Sequence, residues 1–308
     1  MSSRKPPVTP AQRPRNPGPA GSVHDGAGAP SRHPALPLRQ HGRAADADHR
    51  PARHPAQRPA PATRPAPRSP HMHPTLIAVA HGSRDPRAPH TVLALLERVR
   101  ELRPALDVRL GHIELNRPLL ADTLRDTAGA AVLVPLLLGR GTHVKRDLPA
   151  AAARAGHLRI RVAGPLGPHP LLVEVLFERL LEAGWTPGTA VVLASAGSLD
   201  PDSAADTRRA ADLLSERLGG VPVVPAYASA AAPNVPDAVR ALAARGYHRA
   251  AVASYFAAPG RFASASAAAA TGPAAAPLGA HPALARLVLR RYDEALAHSA
   301  REPELATA

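Results

Sequence analysis

Three residues of metal-ligand type each follow an apolar run of strand length. His81 comes directly after Leu76–Ala80, and Glu114 directly after Asp107–Ile113. His143 follows Ala130–Leu138 across the loop Gly139–Thr142. Two neutral imidazoles and a carboxylate suit a late first-row divalent ion, especially in a chain with no cysteine to offer thiolate. The same imidazoles can exchange protons near neutrality, because their unperturbed pKa is ~6.5. A lone histidine at a strand end is more often a hydrogen-bonded structural group. Three such residues after three strands form a stronger pattern, which points to binding a divalent metal and moving protons.

An internal repeat separates this chemistry from its scaffold. Thr75-Leu-Ile-Ala-Val-Ala-His81-Gly-Ser-Arg-Asp85-Pro86 is answered by Ala190-Val-Val-Leu-Ala-Ser-Ala196-Gly-Ser-Leu-Asp200-Pro201. Pro165-Leu-Gly-Pro-His169-Pro170 is answered by Pro277-Leu-Gly-Ala-His281-Pro282. The offsets, 197 − 82 = 115 and 277 − 165 = 112, describe a duplicated unit of about 110 residues, too long for a solenoid repeat. The G-S-x-D-P turn occurs in both copies, but His81 meets Ala196, and Phe262 stands near the place of His143. Asp85 persists as Asp200, so it reads as a turn residue; Asp147 also reads as a cap. His169 and His281, each before Pro at a helix start, read as capping or packing groups. His73, His90, His112 and His157 have no evident partner.

These residues require alternating strands and helices to position them. The strands are Leu76–Ala80, Asp107–Ile113, Ala130–Leu138 and Leu158–Val162, then Ala190–Ser195, Pro222–Ala228 and Arg249–Phe256. Amphipathic spacing places helices over Thr91–Leu102, Pro118–Thr127, Lys145–Ala155 and Pro170–Ala183, the last closing the first half. In the second half they fall at Ser203–Leu218, Val235–Arg245 and Pro282–Ala297, with an Ala-rich segment around 263–270. The expected class is α/β: two similar lobes, 72–186 and 187–300, each a parallel sheet flanked by helices. Ligands of such sheets bind beyond the carboxyl ends of the strands, so the cleft should lie between the lobes.

Residues 1–71 are expected to be a disordered extension. They hold no Phe, Trp or Tyr and carry 12 Lys+Arg against 3 Asp, a charge of +9 out of +14 for the 308-residue chain. Met72, where the composition changes, reads as the initiator. The tail lacks interleaved aromatics and the remainder has no nucleic-acid recognition motif, which argues against a nucleic-acid partner. No run approaches the ~18 apolar residues of a membrane span, and no secretory signal opens the chain, so cytoplasm is the expected location.

His81-Gly-Ser-Arg-Asp-Pro, Ile113-Glu114-Leu with Pro118, and Gly141-Thr-His143-Val-Lys-Arg-Asp147-Leu-Pro149 together resemble the sirohydrochlorin chelatase family, of the CbiX/SirB type. The resemblance spans about residues 75–297. It implies a two-lobed chelatase fold and insertion of Fe(II) or Co(II) into sirohydrochlorin without an organic cofactor. It assigns His81 and His143 as metal-binding catalytic residues and Glu114 as their acidic partner. The substrate's many carboxylates would be oriented by Ser83, Arg84, Arg140, Lys145 and Arg146, with Arg261 approaching from the second half. A metal or tetrapyrrole carrier without turnover is the alternative. Monomer and homodimer are both compatible with the sequence.

Overall fold

A computed structural model describes residues 73–298; the basic segment 1–71, with the expectation that it is disordered, lies outside the described residues. Strands β1 (Thr75–Ala80), β2 (Val108–His112), β3 (Ala130–Pro135) and β4 (Arg159–Val162) form one sheet in the order β2-β1-β3-β4. Strands β5 (Ala190–Ser195), β6 (Val223–Tyr227) and β7 (Ala250–Ser254) form a second, in the order β6-β5-β7. All pairings are parallel. Every residue of β1 and β5 is buried, as a central strand covered on both faces requires.

The helices are α1 (Arg87–Leu102), α2 (Leu120–Arg125), α3 (Leu148–Arg154), α4 (Pro170–Glu182), α5 (Pro201–Arg217), α6 (Val235–Ala244), α7 (Arg261–Ala268) and α8 (Pro282–His298). Helix α3 is preceded by a π-helical turn, His143–Asp147, so the helix expected from Lys145 starts earlier and with wider winding. The Ala-rich stretch of the second half becomes α7, in keeping with the high helix propensity of alanine. Among the described residues no fourth strand joins the second sheet; a single bridge from Val252 to Ala274 stands beside β7 instead.

The largest core lies between the two sheets and belongs to both. Leu76, Val132, Val134, Val191, Leu193 and Ala253 share one apolar cluster with the inner faces of α1, α4, α5 and α8. Smaller clusters lie under α2 and α3 on one outer face and under α6 on the other. The helix over 170–183 ends the first half in sequence but packs outside it. Helix α4 packs on α5 and β7, and α8 crosses back onto α1 and β3. Each lobe therefore lends its last helix to the other. Reciprocal hydrogen bonds tie the exchange: Arg179 Nη2 donates to the Leu278 carbonyl (3.2 Å) and Arg291 Nη2 to the Leu166 carbonyl (3.1 Å).

His169 and His281 cap these exchanged helices. Nδ1 of His169 accepts the Leu171 N–H (3.0 Å), and Nδ1 of His281 accepts the Ala283 N–H (3.1 Å). Burial, reinforced by Arg291 and Arg290, pushes the His169 pKa down, which keeps its ring neutral and its lone pair available.

Two residues past the first strand of each lobe stands a glycine with a backbone that L side chains avoid: Gly82 at φ +106° and Gly197 at φ +87°. A Cβ on Gly82 would run into the Glu114 carbonyl oxygen, and one on Gly197 into that of Ser229. Gly82→Ala and Gly197→Ala should each lower the unfolding free energy by more than about 2 kcal/mol in urea denaturation, although only the first adjoins a histidine.

Candidate metal-handling site

The strand-end turn builds the site by backbone hydrogen bonds. Glu114 N–H donates to the His81 carbonyl (3.0 Å), so the residue after β1 and the loop after β2 are held side by side. Asn116 Oδ1 accepts the Ser83 N–H (2.6 Å), and Ser83 Oγ accepts the Asp85 N–H (3.1 Å). The second lobe repeats the frame: Ser229 N–H donates to the Ala196 carbonyl (2.9 Å), and Ser198 Oγ accepts the Asp200 N–H (3.1 Å). Asp85 accepts from the Arg87 side chain and N–H, which lowers its pKa to about 2; Asp200 caps α5. Both aspartates belong to the turn, as their repetition indicates.

On this frame the structure brings His81, His143 and Glu114 together. The two imidazole rings lie edge to face, with centroids 4.9 Å apart. Nδ1 of His81 faces Glu114 Oε1 at 3.5 Å and the Gly82 carbonyl at 3.3 Å, both acceptors. Nδ1 of His143 faces Asp147 Oδ2 at 2.6 Å. With acceptors on the Nδ1 side, each neutral ring is assigned its proton there, leaving Nε2 as the atom that can take a metal ion or a proton.

Two expectations change. Glu114 faces the Nδ1 side of His81 and in this arrangement is its orienting carboxylate; among the described residues no three His, Asp or Glu side chains converge tightly enough to hold one ion. Asp147 makes no helix-capping hydrogen bond and instead orients His143. The signal for it was its position four residues after His143, on the same face of a helical turn.

A cleft of ≈ 560 Å³ opens beside His81, within the range of ligand-binding pockets. The first lobe contributes Arg84, Glu114 and Leu138, and the second Phe256, Arg261 and Phe262. His143 is not among its lining residues and meets the cleft through the His81 ring. Strand register fixes the counterpart of His143: Val79 pairs with Pro135 and Ala194 with Ser254, so the third-strand loops are offset by 254 − 135 = 119, and 143 + 119 = 262. A phenyl ring therefore occupies the histidine's place in the second lobe. His112, without an assigned partner from sequence, is buried beneath the cleft with Nδ1 on the Pro118 carbonyl (3.1 Å). His157 bonds the Leu124 carbonyl (3.1 Å). A second groove, ≈ 450 Å³, runs along β2, but its arginines, Arg109 and Arg117, are paired with Asp107 and Asp122.

The basic residues divide into two groups. Ser83, Arg84 and Arg261 line the cleft, and neither arginine has a carboxylate partner among the described residues; the Arg261 guanidinium lies 4.9 Å from the Phe262 ring. Arg146 is exposed and outside the cleft lining. Arg140 and Lys145, expected to orient a substrate, are instead paired across the lobes. Arg140 binds Asp206, and Lys145 Nζ binds Asp200 and Asp202, each at 2.7 Å.

Two imidazoles, each oriented by a carboxylate at neighbouring strand ends, face a second lobe that carries Ala196 and Phe262 in their places, within a duplicated α/β fold. The CbiX family model matches residues 75–183 and again 190–295, and the chain belongs to this family. It is 30% identical over 172 residues to a sirohydrochlorin ferrochelatase of Bacillus subtilis (strain 168), covering 53% of this chain and 66% of that protein, just under two thirds. A sirohydrochlorin cobaltochelatase of Methanococcoides burtonii is 26% identical over 123 residues, 94% of that protein but 35% of this chain. The structure of SirB from Bacillus subtilis with Fe3+ superposes with a TM-score of 0.61 at 25% identity, covering 75% of this chain and 98% of SirB. Among the described residues no helix is long and apolar enough to cross a membrane.

The lobe-bridging ion pairs have a defined pH window. The hydrogen bond from Lys145 holds Asp200 and Asp202 below the usual 3.8, and the same bonds raise Lys145 above 10.5. Lowered carboxylates stabilise fully above 3.8 and lose that effect as the pH falls through their folded values; the raised amine does so below 10.5 and loses it as the pH rises. Urea unfolding of the parent and of Asp202→Asn should therefore differ at pH 7 and converge as the pH is taken well below 3.8.

Proposed function

We propose that this chain is a sirohydrochlorin chelatase, which inserts Fe(II) or Co(II) into the tetrapyrrole with release of two protons. The observation that carries this reading is the His81–His143 pair, with centroids 4.9 Å apart and a carboxylate on the Nδ1 side of each ring. Insertion requires a metal held by few, exchangeable ligands, and a base for each of the two pyrrole protons. Nε2 of His81 and of His143 hold the metal as exchangeable ligands, and as each gives the metal up to the macrocycle its freed lone pair takes one pyrrole proton. Glu114 and Asp147 stabilise the imidazolium formed when a ring takes a proton, and they keep the tautomer fixed. Both metal and macrocycle are substrates, so the site must release each of them; an open pair of nitrogen ligands does this better than a closed cage.

The macrocycle's carboxylates are bound by Arg84 and Arg261 from opposite sides of the cleft, with Ser83 beside them, while Leu138, Phe256 and Phe262 contact its apolar face. Arg84 belongs to the first lobe alone: its counterpart in the second turn is Leu199, which is 88% exposed.

Anaerobic mixing of the protein with sirohydrochlorin and Fe(II) or Co(II), followed by absorbance, tests the reaction. His81→Ala and His143→Ala should each slow insertion at least about 100-fold with unchanged circular dichroism. Insertion no faster than the protein-free control would refute the enzyme, and stoichiometric binding without turnover would identify a carrier. Arg84→Met and Arg261→Met should raise KM about tenfold each while changing kcat little, the signature of lost substrate binding.

A further inference from the structure

The loop that carries His143 is gripped by the lobe that has no metal ligand. Arg140 N–H donates to Asp206 (2.8 Å), and the Arg140 guanidinium donates to the same carboxylate (2.7 Å). Five residues further on, Lys145 donates to Asp200 and lies as close to Asp202, both at 2.7 Å. His143 stands between these two anchors. The loop backbone also runs close to α5 and the turn before it: a Cβ on Gly139 would lie 3.5 Å from Asp206, and one on Gly141 would lie 3.5 Å from Ser198 Oγ. Asp206 is buried, with 4% exposure, so its charge depends on Arg140 for compensation.

The duplication shows that this grip is not part of the shared scaffold. At the offset of 115, Asp200 corresponds to the turn aspartate Asp85, which pairs with Arg87 of its own lobe, whereas Asp202 and Asp206 correspond to Arg87 and Thr91. At the offset of 119, Arg140 and Lys145 correspond to Pro259 and Ser264 in the second. The mirrored contact, Gly260 against Ser83, keeps only Asp85 of the acids and has no base at the places of Arg140 and Lys145. Acidic anchors and basic loop residues thus meet on one diagonal of the pseudo-symmetric pair, the one whose third-strand loop carries a histidine, His143, where the other carries Phe262.

We propose that Asp200, Asp202 and Asp206 are positioning residues, an acidic clamp through which the second lobe sets the placement of His143 opposite His81. The proposal rests on the reading of His81 and His143 as the metal-handling pair. It gives the ligand-free lobe a second role beyond walling the cleft. It also assigns Arg140 and Lys145 to holding the loop and not to contacting the substrate.

The test uses the full chain with Asp200→Ser/Asp202→Asn, which removes both carboxylates facing Lys145 while serine keeps the N-cap of α5. Thermal midpoint should fall by no more than about 4 °C, since exposed ion pairs contribute little to stability. Co(II) affinity, read from the metal's visible absorption without tetrapyrrole, should weaken about tenfold, kcat should fall about tenfold, and KM for sirohydrochlorin should stay within about twofold. Lys145→Met should reproduce these changes, and the triple variant should be no worse than either, because the carboxylates act through Lys145. Asp206→Asn, which retains an acceptor for the Arg140 N–H, should show the same pattern and faster amide exchange over 139–147. A raised KM with unchanged Co(II) affinity in Lys145→Met would overturn the clamp, as would wild-type affinity and kcat in the double variant. His143→Ala separates the two ideas. If it keeps wild-type Co(II) affinity, the metal-pair reading fails; if it loses affinity while Asp200→Ser/Asp202→Asn does not, the clamp alone fails.

Discussion

The approach of two backbone segments at the end of each lobe's first strand limits everything built around it. The second residue after the strand must adopt positive φ and pass so close to the carbonyl of the following loop that no side chain fits, which leaves glycine at 82 and 197. In return, the residue before the glycine has its carbonyl locked by an N–H from that loop. In the first lobe these two residues are His81 and Glu114, so a backbone pairing rule delivers an imidazole and a carboxylate side by side. In the second they are Ala196 and Ser229, and the same pairing delivers no chemistry. The scaffold sets positions; the choice of side chains at those positions decides function.

The cleft keeps its width because the lobes cannot separate without dismantling the core. Leu172, Val175, Leu176 and Leu180 of α4 are buried against the second lobe, and Leu284, Leu287, Val288 and Tyr292 of α8 against the first. Each such side chain contributes about 1.5–3 kcal/mol of burial, so parting the lobes would forfeit far more than a domain's net stability. Tyr292 adds a bond from its hydroxyl to the Pro74 carbonyl (2.6 Å), at the very start of β1. A site assembled from loops of both lobes therefore rests on one shared core.

The parts legible in the sequence were those with local signals. Apolar runs marked the strands, the repeated G-S-x-D-P marked the duplication, and His81 stood out because its partner position holds alanine. The exchange of α4 and α8 was not legible, since an amphipathic stripe says that a face must be buried but not against which sheet. Asp147 read as a cap because acidic residues near helix starts usually are; only the π-helical turn reveals that its carboxylate meets His143. The partners of Arg140 and Lys145 lie 66 and 55 residues away in the chain, on a helix whose acidic first turn looks like ordinary capping. Long-range charge pairing leaves no periodic trace.

That pairing also sorts positive charge around the site. Lys145 and Arg146 follow His143 within three residues, and unpaired cations there would repel a divalent ion approaching the ring. Two unit charges 4 Å apart interact by about 1 kcal/mol even at the dielectric constant of water, and by several times more near a protein surface. Neutralising Lys145 with two carboxylates, and Arg140 with a third, removes most of that opposition beside His143. Arg84 and Arg261 keep their charge where they line the cleft. Positive charge is thus cancelled at the loop of His143 and kept at the cleft, a division that would draw a cation and an anion to adjoining places and not to the same one. The second lobe supplies the acids that make the division.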